Sequence, residues 1–393
     1  MYHNTAVIKN TLERLQKVLK DAEYLQGQVE AKIFTGLEQY IESMIKVLKL
    51  SRKIGVKIKE EEKFINTPSC CINAIFSLEN IRDLVQKKEQ LALDQIKFEL
   101  IPILEDLIYD FYFFTSVFGE RQKEKWHYEN EFSKMVSNRY INAAVKKGQY
   151  KYDVSLVVSA YNHLDYTKRC IDHIIRYTPN DLNYELILIN NGSEDDTQKY
   201  FESLRDKISK PIKIIWMKEN VLNSYIAIRS RACEGRYLLD ISNDVLVMTN
   251  YVTNLMRCMT SDKKIAMIVA STPGVGIKSQ CVADSNLTPE EGEEFAKKNN
   301  ISDPSRWESR NLLYNPIALY NSEILLAESG IGFWDKYFVY TSGGDDALSR
   351  RLIEAGYKLI LAKDCYCYHF GKVTRAKDTH TAESVALLKR RFS

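Results

Sequence analysis

Five short clusters in this 393-residue chain combine residue types that can do chemistry. Asp345 and Asp346 follow a Gly-Gly pair and open a helical pattern that carries Leu348, Leu352 and Ile353 on one face and closes at Gly356. A carboxylate near a helix N-terminus is kept ionised by the amide dipoles, ready to take a proton from a hydroxyl. Ser242-Asn243-Asp244 ends an apolar run. Its single carboxylate suits Mg²⁺ or Mn²⁺, hard cations that need few protein ligands when phosphate oxygens complete their sphere. Ala160-Tyr161-Asn162 and Asn190-Asn191-Gly192-Ser193 each close another apolar run. Their amides can pair with a pyrimidine edge, and Gly192 admits a left-handed turn beside a ligand. Cys365, Cys367 and His369 alternate along one face of a strand-like run. Structural zinc asks for wider cysteine spacing and a second pair, and no such pair is nearby. Taken singly, Asn-Gly and Asn-Asp are turn signals and paired Asp is a common helix cap.

The elements that must position these clusters alternate. Val154–Ser159, Glu185–Asn190, Ile212–Trp216, Tyr237–Ile241, Ala266–Ala270 and Lys358–Leu361 read as short strands. Amphipathic segments Tyr166–Tyr177, Asp195–Ile208, Ser224–Glu234 and Asn250–Met259 read as helices between them. That β-α order predicts a mostly parallel sheet with flanking helices, and such sheets bind ligands beyond the carboxyl ends of their strands. Residues 1–148 have another texture. The first 150 residues hold 5 of the 16 Gly and 2 of the 8 Pro. Apolar positions there recur at helical spacing, as in Leu12, Leu15, Val18, Leu19, Ala22 and Leu25 behind a presumed N-cap at Asn10. An all-α N-terminal domain is expected.

The clusters come in an order that resembles family-2 glycosyltransferases of the GT-A fold. A strand ending in Ala160-Tyr161-Asn162, a helix, and a strand running into Asn190-Asn191-Gly192-Ser193 look like the loops that hold base and ribose in that family. The family usually has Asp where Asn190 stands, which leaves the base open. Asn220 before a helix, Arg229 within it, and Ser242-Asn243-Asp244 after the Gly-Arg-Tyr strand resemble its Asn-rich loop and DXD-like metal motif, with Ser242 in place of the first acid. The resemblance implies that Ala160, Tyr161, Asn162, Asn190, Asn191, Asn220, Arg229, Ser242 and Asn243 touch the donor, and that Asp244 and His369 hold Mn²⁺ or Mg²⁺ on its diphosphate. It further implies Asp346 as catalytic base and Asp345 as the neighbouring acid. Gly344 and Trp334, in Gly332-Phe333-Trp334-Asp335, would then lie on the acceptor and sugar side. The implied activity is inverting transfer of a sugar from a nucleotide-diphosphate donor, a UDP-sugar by preference, to a hydroxyl of a glycan or protein acceptor.

Composition narrows the remaining classes. Fifty-five Lys and Arg against 52 Asp and Glu give a formal net charge of +3, which is no footprint for nucleic acid. No run approaches the roughly 20 apolar residues of a membrane span; Phe98 to Gly119, the most apolar stretch, carries four acids and reads as a buried helix or helix pair. Eight scattered Cys and an N-terminus without a basic start or apolar core point to a cytoplasmic protein, at most peripheral to a membrane. The expected organisation is a helical domain over 1–148 for acceptor or partner recognition or for homodimerisation, a GT-A domain over 149–375, and a tail over 376–393. Residues 279–311, rich in Glu and Lys, read as a mobile loop with a short helix. The alternative is a non-catalytic nucleotide-sugar-binding or protein-interaction module on a GT-A scaffold.

Overall fold

The computed structural model describes residues 5–61, 66–127, 148–221, 226–283, 286–324 and 343–371, with 385, 386 and 389 besides. The N-terminal region is helical: α1 (Thr5–Glu30), α2 (Glu38–Glu61), α3 (Thr67–Gln86), α4 (Leu91–Gln95), a π-helical turn (Ile96–Leu100), α5 (Ile101–Ser116) and α6 (Arg121–His127). Helix α5 is buried nearly all round because it is central, packing against α1 and α3. Asn10 does not cap α1. The helix begins at Thr5, and Asn10 Oδ1 accepts from Arg14 Nε at 3.1 Å, one turn on.

From Tyr152 the chain alternates. Its elements are β1 (Tyr152–Ala160), α7 (Leu164–Tyr177), β2 (Tyr184–Asn191), α8 (Thr197–Ser203), β3 (Ile212–Met217), α9 (Ile226–Ala232), β4 (Gly235–Ser242) and β5 (Val245–Leu246). Then come α10 (Tyr251–Ser261), β6 (Ile265–Ser271), α11 (Pro289–Asn299), β7 (Trp307–Arg310), β8 (Ile317–Asn321), α12 (Gly344–Glu354), β9 (Lys358–Tyr366) and β10 (Tyr368–His369). Eight strands form one sheet in the order β3-β2-β1-β4-β8-β6-β9-β7. Strands β1 to β4, β6 and β9 run parallel; β8 and β7 run against them. This is the expected mostly parallel α/β sheet behind a helical region, with two antiparallel strands that the sequence reading did not contain. Strand β2 is buried at every position, as a central parallel strand covered on both faces must be. A separate ribbon pairs β5 with β10, Leu246 opposite Tyr368 and Val245 opposite His369.

The short helix expected within 279–311 is α11, and the described residues around it are tied to the sheet. Helix α11 starts with a capping box in which Thr288 and Glu291 satisfy each other's backbone, with Pro289 at the first helical position. Asn300 then ties the segment to β9 and α10: its side chain donates to the carbonyls of Thr249 and Tyr366, both at 2.9 Å, and accepts from Tyr366 N–H at 2.7 Å. Trp307 Nε1 donates to Asp364 at 2.9 Å, and β7 becomes the outer strand of the sheet.

Candidate active site

Register places the sequence clusters side by side. Ala160 at the end of β1 lies opposite Asn190 of β2, and Ser159 lies opposite Ser242 of β4. Three loops therefore leave the sheet together at its carboxyl edge.

The first two loops are laced to each other. Asn162, in a left-handed conformation at φ 55°, accepts from Glu194 N–H at 2.8 Å while its own N–H donates to Ser193 Oγ at 2.9 Å. Asp195 accepts from Leu164 N–H at 3.0 Å and Thr197 N–H at 3.1 Å, joining the starts of α7 and α8. Asn190 is fully buried and turned inward: its Oδ1 accepts from Ser193 N–H at 2.8 Å and its Nδ2 donates to Gln198 at 3.2 Å. Asn191 is likewise engaged, accepting from Val221 N–H and donating to Asn220 Oδ1, both at 3.1 Å. These amides lock the two loops together, and Tyr161 beside them is 40% exposed.

Asp244 and His369 meet. The Asp244 side chain is buried, and its Oδ2 lies 3.5 Å from His369 Nε2. The β5–β10 pairing and a 3.1 Å bond from Phe370 N–H to the Asp244 carbonyl fix this approach. His369 Nδ1 lies 3.0 Å from the Pro273 carbonyl, which can only accept, so Nδ1 carries the proton. Nε2 faces the Asp244 carboxylate: with a proton on Nε2 the two form an ion pair, and without one they present an oxygen and an imidazole nitrogen together, a donor set that fits a divalent metal, with Nδ1 held from behind. The Thr272-Pro273-Gly274 turn supplies that hold. A Cβ at Gly274 would stand 3.2 Å from Gly371 Cα and 3.4 Å from His369 Nδ1, and both glycines have positive φ.

The other candidate residues are distributed as follows. Asp345 and Asp346 occupy the first turn of α12 behind Gly343 at φ 85°, with Gly344 and Asp345 buried. Ser242 is held by the sheet, its N–H donating to Pro316 O at 2.9 Å. Asn243 is buried, donating to Thr167 Oγ1 at 3.0 Å in α7. Arg229 is no surface-helix residue. It is 1% exposed and ion-pairs with Asp240 on β4. Trp334 lies outside the described residues.

Sequence reading missed two contributors from the helical region. Asn73 of α3 is buried and bonds the two peptide groups that flank Glu219: its Oδ1 accepts from Glu219 N–H at 2.9 Å and its Nδ2 donates to the Glu219 carbonyl, in the Glu219–Asn220 peptide, at 3.2 Å. Glu99, in the π-helical turn, accepts from Trp216 N–H at 3.1 Å. Burial pushes its carboxyl up to about 7, and the hydrogen bonds from Trp216 and Ser77 only partly counter that. A buried Asn and Glu within apolar helical runs were the available signal.

Residues 155–306 match the family described as Glycosyl transferase family 2. An uncharacterized glycosyltransferase of Mycoplasma genitalium is 30% identical over 67 residues, 17% of this chain and 23% of the relative, so the match spans under a quarter of that protein's length. Among solved structures, a mannosyltransferase from Pyrobaculum calidifontis in complex with GDP-Man and Mn²⁺ is similar at 15% identity and TM-score 0.41, over 66% of this chain and 72% of that one. TarS from S. aureus in complex with UDP-GlcNAc gives 14% identity and TM-score 0.42, over 60% and 65%. The matched segment, which holds the strand-end loops and Asp244, is similar to family-2 glycosyltransferases.

Proposed function

We propose that the chain is an inverting, metal-dependent glycosyltransferase that moves a sugar from a nucleotide-diphosphate donor, a UDP-sugar by preference, to a hydroxyl of a glycan or protein acceptor. The observation that carries this reading is the facing of Asp244 Oδ2 and His369 Nε2 across 3.5 Å, with Nδ1 tied to a carbonyl. Bound there, Mn²⁺ or Mg²⁺ would neutralise charge on the departing diphosphate.

The chain's own groups do the rest. The laced loops around Asn162 and Asn190–Ser193 hold the nucleoside, with Tyr161 as a ring for the base to stack on. Asp346, in the first turn of α12, is the base that takes the proton from the acceptor hydroxyl. The acceptor oxygen then attacks the anomeric carbon opposite the leaving group as the bond to the diphosphate breaks, and one displacement inverts the centre. Asp345 is assigned to orienting acceptor or donor sugar, with Gly344 beside it. Residues 1–148 serve acceptor or partner recognition or pairing of two copies. No helix among the described residues is long and apolar enough to cross a membrane, and a cytoplasmic site of action is part of this proposal.

The test is transfer from a panel of UDP- and GDP-sugars to simple acceptors with Mn²⁺, the product's anomeric configuration being read by NMR. A product inverted relative to the donor supports the reading. A retained configuration contradicts the single displacement.

A further inference from the structure

Strand β3 is the outer strand at one end of the sheet, so one side of its backbone lacks a strand partner. The helical region packs on that side and bonds it through side chains at two places. Glu99 takes the Trp216 N–H, and Asn73 takes both the N–H and the carbonyl of Glu219, just past the strand's end. Phe76 meets the Trp216 ring edge-on at 4.8 Å, and the Lys218 ammonium lies 5.7 Å from the Phe76 ring. Farther along, Arg231 and Glu105 bridge the same two regions at 3.1 Å.

The gripped peptide is also the wall behind Gly192. An added Cβ at Gly192 would stand 2.4 Å from Asn220 N and 2.6 Å from Glu219 C, so these backbones touch with no slack. Asn191 bonds Asn220 Oδ1 and Val221 N–H from the same side. A contact chain thus runs from α3 through Glu219 to the Asn190–Ser193 turn and on to Asn162.

We propose that Asn73 is a positioning residue for the donor site: its amide fixes the Glu219–Asn220 peptide against Gly192 and so sets the depth of the nucleotide cradle, which makes the helical region part of donor recognition. This rests on the reading of the Asn162 and Asn190–Ser193 loops as that cradle. Releasing the peptide lets the turn relax outward, so donor binding weakens while the reacting groups at Asp244 and Asp346 are untouched.

The experiment uses the full chain with UDP and GDP as calorimetric probes in Mn²⁺, together with donor KM, kcat, and hydrogen exchange over residues 218–221. Asn73→Ala and the isosteric Asn73→Asp, which retains only the acceptor, are compared with Glu105→Gln, which breaks the distant bridge to Arg231. Asn73→Ala is expected to raise nucleotide Kd and donor KM about tenfold, with kcat little changed and exchange faster at 218–221. Asn73→Asp should move the same way. Glu105→Gln should lower Tm and leave donor KM alone. If wild-type protein binds a nucleotide and both Asn73 variants bind it equally well, the inference is overturned by itself. If Glu105→Gln raises donor KM as much, the effect is general loosening and the inference also falls. A folded wild type that binds neither nucleotide overturns the donor-site reading beneath it.

Discussion

His369 Nε2 faces Asp244 Oδ2 at 3.5 Å while the opposite ring nitrogen is held 3.0 Å from the Pro273 carbonyl. The pairing joins a loop after β4 to a ribbon after β9, strands separated in the sheet by β8 and β6. It is a long-range meeting that the antiparallel Val245–His369 register enforces.

Under the proposed function, that geometry would make His369 a ligand oriented from behind. Loss of an outer partner of a metal-bound His costs about 10–100-fold in metal affinity. Replacing the ring in His369→Ala should cost no less, and His369→Gln should recover little. Titration of Mn²⁺ in the presence of bound nucleotide diphosphate measures this; unchanged metal affinity would remove His369 from the site.

Asp346 is expected to matter for turnover alone. Asp346→Asn keeps the shape of the first turn of α12 and removes the proton acceptor. A drop in kcat of about 10²–10⁴-fold follows, with nucleotide Kd unchanged. Full activity in that variant, with fold and donor binding intact, would sink the single-displacement mechanism.

Gly192 tolerates no side chain. Its φ is +79°, and the space for a Cβ is filled by the Glu219–Asn220 backbone. Gly192→Ala should destabilise by about 1–3 kcal/mol through strain and displacement, and should weaken nucleotide binding more than it lowers kcat. Thermal melts and donor KM together check both parts.

Glu99 gives stability a definite pH dependence. Its carboxyl titrates near 4.5 when exposed and is pushed up to about 7 by burial. Folding therefore favours the protonated form. Below the unfolded value the group is neutral in both states and has no effect. As pH rises through the window from 4.5 to about 7, ionisation costs folded stability, levelling at about 3 kcal/mol. Glu99→Gln stays neutral and keeps an acceptor for Trp216 N–H. Its Tm should match wild type at about pH 4 and exceed it at about pH 8; parallel pH profiles would refute the assignment.

Much of the sheet was legible because its strands are short β-branched runs that end in turn residues. Val154–Ser159 proved to be the middle of Tyr152–Ala160, and Lys358–Leu361 the first part of Lys358–Tyr366. Strands β7 and β8 escaped because four or five residues such as Trp-Glu-Ser-Arg carry no alternation to read, and their partners lie far along the chain. Helix α11 is the short helix expected within 279–311, and its capping box Thr288-Pro289-x-Glu291 marks where it starts. At the site, Asp244 and His369 were visible as types at strand ends. Asn73 was not, since a contact 146 residues away leaves no local pattern. In the same helices Cys70, Asp106 and Asp110 converge within 4.8 Å, which periodicity alone does not disclose.

The central claim is that Asp244 anchors a metal-bound nucleotide diphosphate at the carboxyl edge of this sheet. Calorimetry with UDP, GDP and dTDP, CMP as control, with and without Mn²⁺, on wild type and Asp244→Ala tests it most directly. The account predicts that one diphosphate binds only with the metal and that Asp244→Ala abolishes the binding. A folded wild type that binds none of them, or binds equally well without Mn²⁺ and without Asp244, would contradict it.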